Sequence, residues 1–328
     1  LPPLALCDDS SFALPERVTR AVALVGPTAA GKSALAVDVA LRAGDVEIVS
    51  IDSMAIYRGM NIGTATPSPD EQAAVPHHLI DLLDPWQDCT LSFFQTAATE
   101  AIGEISGRGR IALLVGGSGL YHRAVIDRLE IPGQYPLVRS ALEAELVEPA
   151  GPSLLMGRLK QLDPLAASRI EPGNVRRIVR ALEVCEGSGR AFSSYGPGLD
   201  AYPDSDVIEV GFLPPLETVY EAVERRVAAW IDAGLLAEVA RLQSSTKAMS
   251  RTAAQAIGYH EMLEHLDGRL SLDAAVAETV RRTRNLVRRQ VAWFRRDPRV
   301  LWCSTAAEAT EMLTTSLARV RGSVEVRD

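Results

Sequence analysis

The chain has 328 residues, 47% of them apolar and 23% charged, enough for one large core or two domains of an ordinary globular protein. No apolar run approaches the ~20 residues a membrane-spanning helix needs, so no membrane partner is expected. A net charge of −8 argues against a uniformly basic nucleic-acid binder but leaves local basic patches open.

Residues 1–19 read as a disordered tail. Their first six, Leu-Pro-Pro-Leu-Ala-Leu, carry no basic segment and are too short for a secretory signal; with no initiator Met, the natural N-terminus is left open. The apolar run Ala21-Val22-Ala23-Leu24-Val25 then predicts a buried parallel strand. It leads into Gly26-Pro27-Thr28-Ala29-Ala30-Gly31-Lys32-Ser33, which fits the P-loop pattern G-x-x-x-x-G-K-[ST] at every fixed position. A helix is predicted from Ser33 to Arg42. A strand, a glycine turn and a helix N-terminus aim backbone N–H groups at one spot, where the helix dipole favours an anion. Lys32 adds a point charge, and Ser33 offers a hydroxyl to a phosphate-bound Mg²⁺. Against an ordinary glycine turn, this context points to a bound diphosphate or triphosphate, without saying which.

The second strand, 47–52, closes on Asp52. Ligands of open parallel sheets sit at the carboxyl ends of the strands. There Asp52 can hold a metal, act as a base or bind a substrate amine; capping a helix before Ser53 is the plain alternative. His77-His78 has no third ligand at metal spacing, which leaves cap, loop or pocket-lining roles. A third strand, 111–115, ends at Gly116-Gly117-Ser118 with no Walker-B aspartate, and no Asn-Lys-x-Asp signature follows. That argues against ATP or GTP hydrolysis. The alternation of strands and helices predicts an α/β core with a parallel sheet flanked by helices.

Composition changes near Ile131-Pro132-Gly133, and 134–187 reads as wholly helical. Val175, Ile178, Val179, Leu182 and Cys185 share one helical face, and Arg169, Arg176, Arg177 and Arg180 form a basic group. A loop at 193–204 precedes a further strand, 207–212. So 131–204 is expected as an all-helical insertion between core segments 20–130 and 205–310. Long amphipathic helices are predicted at 215–243, 252–267 and 272–297, and 311–328 as a second tail. In the last helix Val280, Val287, Val291 and Phe294 make a narrow apolar stripe. Arg281, Arg282, Arg284, Arg288, Arg289, Arg295 and Arg296 lie on a broad arc beside it. Arginines with no interleaved acid repel one another, so a phosphate-rich partner is expected over a merely solvated face. Cys7, Cys89, Cys185 and Cys303 form no CxxC pair and read as reduced thiols of a cytoplasmic protein.

Taken together, these motifs resemble those of the tRNA dimethylallyltransferases, or tRNA isopentenyltransferases, of bacterial type. The resemblance runs from about Ala21 to Trp302. It rests on the loop 26–33, Asp52-Ser53-Met54-Ala55-Ile56-Tyr57 through Ala65, Val75-Pro76-His77-His78-Leu79-Ile80-Asp81 and Gly116-Gly117-Ser118-Gly119-Leu120-Tyr121. Further matches are Arg176-Arg177-Ile178-Val179-Arg180-Ala181-Leu182-Glu183-Val184, Gln255-Ala256-Ile257-Gly258-Tyr259, and Arg289-Gln290 with Trp293-Phe294-Arg295-Arg296.

The resemblance implies a P-loop NTPase-like core and transfer of a dimethylallyl group from its diphosphate to N6 of the adenosine 3′ of the anticodon in tRNA. It implies Mg²⁺ as cofactor, the anticodon stem-loop as partner and a monomer. By the same resemblance Asp52 is the general base and Ser118 stands near the target base. Gly26 to Ser33 and Arg251 bind diphosphate, with Ser33 on the metal. Asp52, Ser53, Met54, Ala55, Arg139, Arg176, Arg177, Arg180, Arg284, Arg288 and Arg289 face tRNA. His260, Ala292 and Ser118 depart from the family's usual residues. An adenylate prenyltransferase or nucleotide kinase, or a P-loop regulatory module, are the rival readings.

Overall fold

The structure is a computed structural model that describes residues 20–148 and 150–325. The tail expected at 1–19, with Cys7, lies outside the described residues. Strands buried on both faces need continuous apolar runs. Largely apolar runs, broken by Glu47 and Ser50 in β2 and Glu209 in β5, supply four of the six parallel strands described: β1 (Ala21–Val25), β2 (Val46–Ile51), β3 (His77–His78), β4 (Ile111–Gly116), β5 (Ile208–Phe212) and β6 (Leu301–Cys303), with the short β3 and β6 the exceptions. The order across the sheet is β3-β2-β4-β1-β5-β6. The two short edge strands were not expected. At two and three residues they are too short to show an apolar period; each pairs in parallel with its neighbour, and Trp302 and Cys303 of β6 also pack against the core.

The helices of the main unit are α1 (Lys32–Ala43), α2 (Pro69–Ala74), α3 (Leu91–Gly107) and α4 (Gly119–Ile126) before the insertion. The insertion carries α5 (Pro136–Glu145), α6 (Gly151–Leu162), α7 (Pro164–Arg169) and α8 (Val175–Ser188). After it come α9 (Leu216–Asp232), α10 (Leu235–Gln243), α11 (Arg251–Ala254), α12 (Tyr259–Leu266), α13 (Leu272–Phe294) and α14 (Ala306–Glu325). One sheet face buries Val22, Leu24, Ile48 and Leu113 against Leu35 and Val39 of α1 and Leu313 and Leu317 of α14. The other buries Val25, Val49, Ile51 and Leu114 against Phe94 and Ile102 of α3, Tyr259 of α12 and Phe294 of α13.

Several helix boundaries differ from expectation. The second tail, 311–328, is through Glu325 the greater part of α14. Ala309, Leu313, Leu317 and Val320 are buried, a stripe that closes one face of the sheet. The stretch 215–243 is two helices, because Gly234 adopts φ +94°, a left-handed backbone that ends one helix and opens the next. The stretch 252–267 is likewise divided, between α11 and α12, and 272–297 ends at Phe294.

The described residues fall into two compact units, Asp127–Pro203 and the rest. The former has its own core, where Leu142, Leu155, Leu159, Ile178 and Leu182 pack together. Asp163 caps α7 at Ala166 N, 2.9 Å away, and holds Ser193 N at 2.7 Å. Buried Glu183 accepts from Tyr135 N at 2.9 Å and lies 3.3 Å from Arg139 and 3.0 Å from Arg180.

Candidate active site

Sheet register brings the site together. Val25 of β1 and Ile51 of β2 both stand level with Gly116 of β4, which lies between them. The residues that follow, Gly26, Asp52 and Gly117, therefore leave the same edge of the sheet. Two strand spacings, about 10 Å, separate the first two. Gly26 has φ +146°, and a Cβ there would stand 2.3 Å from the Phe212 carbonyl oxygen, so only glycine lets the loop pass β5.

Thr28, Ala29, Gly31, Lys32 and Ser33 line a cavity together with Asp52, Ala55, Thr64, Ala65 and Arg226. Ala29 and Ala65 hold φ of +62° and +53°, a left-handed backbone that costs a non-glycine residue about 1–2 kcal/mol. Such strain clusters where the surrounding structure fixes a functional loop. Lys32 is 8% exposed and donates to the Pro27 carbonyl at 2.7 Å. Burial, then the nearby Arg226 cation, hold its pKa down to about 7; the Asp52 carboxylate pulls the other way. Burial also lowers the pKa of Arg226, against the pull of Asp52. The cavity thus faces an anion with two desolvated cations and a fixed cradle of amides.

Asp52 is half-buried, and its Oδ1 accepts from Met54 N at 2.8 Å. A turn follows it, with no helix to cap. Its Oδ2 has no hydrogen-bond partner among the described residues. Ala55 is buried and lines the cavity, while Ser53 and Met54 are half-buried beside it. Ser118 sits in the turn between β4 and α4, where its carbonyl accepts from His122 N at 2.9 Å; Gly116 and Gly117, not Ser118, line the cavity. Arg251 is exposed at the start of α11 and does not line the cavity, so its expected diphosphate contact is not in this geometry. Of the paired histidines, His77 lines the cavity and His78 Nε2 lies 2.6 Å from the Glu47 carboxylate.

The pattern that defines the family described as IPP transferase matches residues 55–297. The tRNA dimethylallyltransferase of Streptomyces coelicolor is 47% identical over 93% of this chain and 97% of its own length. That of Salinispora tropica is 48% identical over 87% of this chain and 88% of its own. The chain belongs to the IPP transferase family. The tRNA isopentenylpyrophosphate transferase of Bacillus halodurans superposes with a TM-score of 0.67 at 35% identity, covering 94% of this chain and 99% of its own. A eukaryotic dimethylallyltransferase solved acting on tRNA, 23% identical with a TM-score of 0.71, shares the fold over 88% of this chain and 75% of its own. The core is P-loop NTPase-like, and it carries the helical insertion.

Within this family frame the arginines divide. Arg139 and Arg180 are engaged by Glu183, and Arg180 also donates to the Pro132 carbonyl at 2.7 Å. Arg176 and Arg177 are exposed with no ion pair among the described residues. On α13, acids from neighbouring helices and Glu278 of α13 itself change the expected picture of unrelieved charge. Arg284 lies 2.6 Å from Glu224, Arg282 pairs with Glu261, and Arg281 lies 2.5 Å from Glu278. Arg288 donates to the Tyr220 hydroxyl at 3.2 Å, and exposed Arg289 has no ion pair among the described residues.

Sequence reasoning missed two polar residues that grip the P-loop. Gln290 Oε1 accepts from Thr28 N at 2.8 Å, and Arg226 Nη1 donates to Thr28 Oγ1 at 3.1 Å. Each had a signal: a polar residue on the apolar side of its helix, Arg226 beside Val223 and Val227, Gln290 beside Val287 and Val291. It also missed Glu238, a buried carboxylate that accepts from Asn61 N and Ile62 N at 3.2 Å and from Tyr259 Oη at 2.5 Å. Tyr259 in turn lies against Gly63, where a Cβ would stand 2.5 Å from its ring. The two residues fix the loop that carries Thr64 and Ala65 to the cavity.

Proposed function

We propose that this chain transfers the dimethylallyl group of dimethylallyl diphosphate to N6 of the adenosine 3′ of the anticodon in tRNA. The observation that carries the reading is one cavity holding both an anion cradle, Lys32 with the P-loop amides, and the carboxylate of Asp52. The N6 lone pair forms a bond to C1 of the allyl group while the C1–O bond breaks and its electrons leave with diphosphate. Lys32, Arg226 and the loop N–H groups meet that growing negative charge with donors already in place. Asp52 Oδ2 accepts the proton that N6 loses, which suits an exocyclic amine too weakly basic to attack unaided. The target base leaves its stack to reach the cavity.

The donor set suits Mg²⁺, which binds through few protein oxygens and the substrate's phosphates. Ser33 Oγ, exposed at the cavity wall, would hold it, and the metal would neutralise diphosphate charge. Exposed Arg176, Arg177, Arg288 and Arg289 meet the backbone of the anticodon stem-loop, which fixes position without reading sequence. Among the described residues no helix is long and apolar enough to cross a membrane, and a monomer acting on tRNA in the cytoplasm completes the proposal. The relatives favour it over a nucleotide kinase or a regulatory module.

Incubation with unmodified tRNA, dimethylallyl diphosphate and Mg²⁺, followed by nucleoside mass spectrometry, tests the proposal. The expected product is N6-isopentenyladenosine. Donor consumption with an unchanged nucleoside pool, or ATP hydrolysis stimulated by tRNA, overturns it.

A further inference from the structure

We propose that Trp86, Lys247 and Arg251 form a nucleobase-stacking platform on the core unit that holds an unpaired nucleotide of the RNA substrate. The inference rests on the RNA reading above and assigns it a contact surface apart from the cavity and the α13 arginines. Trp86 sits in the turn Asp84–Gln87, closed by Gln87 N donating to the Asp84 carbonyl at 2.9 Å, and is 38% exposed. Trp230, Trp293 and Trp302 instead pack against the core.

One exposed aromatic is ordinary and decides nothing by itself. The cations beside it decide more. Lys247 Nζ stands 4.8 Å from the centre of the Trp86 ring. Neither Lys247 nor exposed Arg251 has an ion pair among the described residues. Several other exposed arginines in the unit carry their own acids, as in Arg42 with Asp38, Arg58 with Asp84 and Arg269 with Glu264, while Arg289 on α13 has none among the described residues. Asp88, exposed on the same loop, offsets one of the two cations and leaves the patch positive. An aromatic face in a patch of net positive charge complements a chain of bases and phosphates: a base stacks on the ring and the cations meet neighbouring phosphates.

Backbone bonds tie the platform together and to the catalytic edge. Ser250 N donates to the Pro85 carbonyl at 2.7 Å, which brings Arg251 to the Trp86 turn. The same loop is stitched to the segment after Asp52: Leu82 N to the Ile56 carbonyl at 2.8 Å, Arg58 N to the Leu83 carbonyl at 2.8 Å and Cys89 N to the Tyr57 hydroxyl at 3.2 Å. Five residues of chain reach at most about 18 Å, so Tyr57, where the loop is anchored, is no further than that from Asp52.

The test is titration of a fluorescently labelled, unmodified anticodon stem-loop. Trp86→Ala should weaken binding about 5- to 150-fold, the usual range for losing one stacked base. Trp86→Phe, which keeps an aromatic face, should restore most of it. Lys247→Met should flatten the slope of log K against log salt by about 0.7. RNA should quench wild-type tryptophan fluorescence, and Trp86→Phe should lose that quench. The thermal shift given by dimethylallyl diphosphate should be the same in all three variants. Wild-type affinity in Trp86→Ala, or no rescue by Trp86→Phe, overturns the platform. If Arg289→Ala is weakened in the same titration, the RNA reading still stands. Failure of the wild-type protein to bind the stem-loop overturns both.

Discussion

Raising the pH from 7 to 9 should weaken the binding of dimethylallyl diphosphate about 50-fold, with Lys32 the responsible group. Burial and Arg226 hold its pKa down to about 7, while Asp52 opposes them. About half the free protein carries a charged Lys32 at pH 7 and about one molecule in a hundred at pH 9. If the diphosphate binds the charged form, that ratio is the loss in affinity, about 2.3 kcal/mol. The donor's own last ionisation, near pH 6, is complete across this range. The sign for folding is opposite. Between pH 7 and 10.5 the unfolded chain holds a proton on Lys32 that the free native protein has released, so Lys32 makes stability rise with pH in that window. Calorimetric titration in two buffers of different ionisation enthalpy should show nearly one proton taken up per donor bound at pH 8. Arg226→Met removes a lowering charge and should move the midpoint up. Asp52→Asn removes a raising charge and should move it down. Lys32→Met should bind weakly at every pH. Constant wild-type affinity from pH 7 to 9, without proton uptake, would refute the reasoning.

Three further outcomes follow from the geometry. Asp52→Asn should lower kcat by about 10²–10⁴-fold, the usual worth of general acid–base catalysis, in single-turnover assays at saturating donor; wild-type turnover would return Asp52 to its turn-capping bond with Met54. Glu238→Ala strands two backbone N–H groups and the Tyr259 hydroxyl, so urea unfolding should show a loss of about 3 kcal/mol or more, against about 1 for Tyr259→Phe; equal losses would deny the carboxylate its place at the centre of the cluster. Arg139→Ala combined with Arg180→Ala leaves Glu183 buried without a cation and should cost the insertion about 3–5 kcal/mol, read as faster limited proteolysis of 127–203. Arg176→Ala should leave proteolysis unchanged and flatten the salt slope of tRNA binding by about 0.7–0.9, so identical behaviour of the two variants would contradict the division of the arginines.

The parts of the fold legible in the sequence are those whose physics is local. β1, β2, β4 and β5 are buried on both faces and read as largely apolar runs, broken only by Glu47, Ser50 and Glu209, and the P-loop is spelled out residue by residue. β3 and β6 are not legible, since two or three residues are too few to show a period. The buried stripe of α14 was present in the letters, but the polar residues around it masked the period. The site divides in the same way. Asp52 is marked by its place at the end of a strand, whereas Glu238 accepts from a backbone donor 177 positions away, a distance no pattern along the chain encodes. The ion pairs of the arginine run were hidden for the same reason. Glu224 and Glu261 come from other helices and cannot be counted along α13, whereas Glu278, on α13 itself, pairs only with Arg281 among the described residues.

The geometry of α13 explains how one helix serves both the donor loop and the arginine face. At about 100° per residue, Gln290 lies about 60° to one side of Val287 and Arg284 about 60° to the other. On α9, Arg226 and Tyr220 flank Val223 in the same way. When Val287 and Val291 pack against Val219 and Val223, one flank of the seam must hold Gln290 and Arg226 at Thr28, and the other Arg284 and Arg288 at Tyr220 and Glu224. Magnitudes say which contact rules. Burying a valine stabilises by about 1.5 kcal/mol or more, and four of them outweigh two hydrogen bonds of about 1 kcal/mol each. The valine seam therefore sets where the two helices stand, and the polar contacts on its flanks follow from that placement. Thr28 receives a donor and an acceptor from two helices at once because a hydrophobic interface has already fixed both.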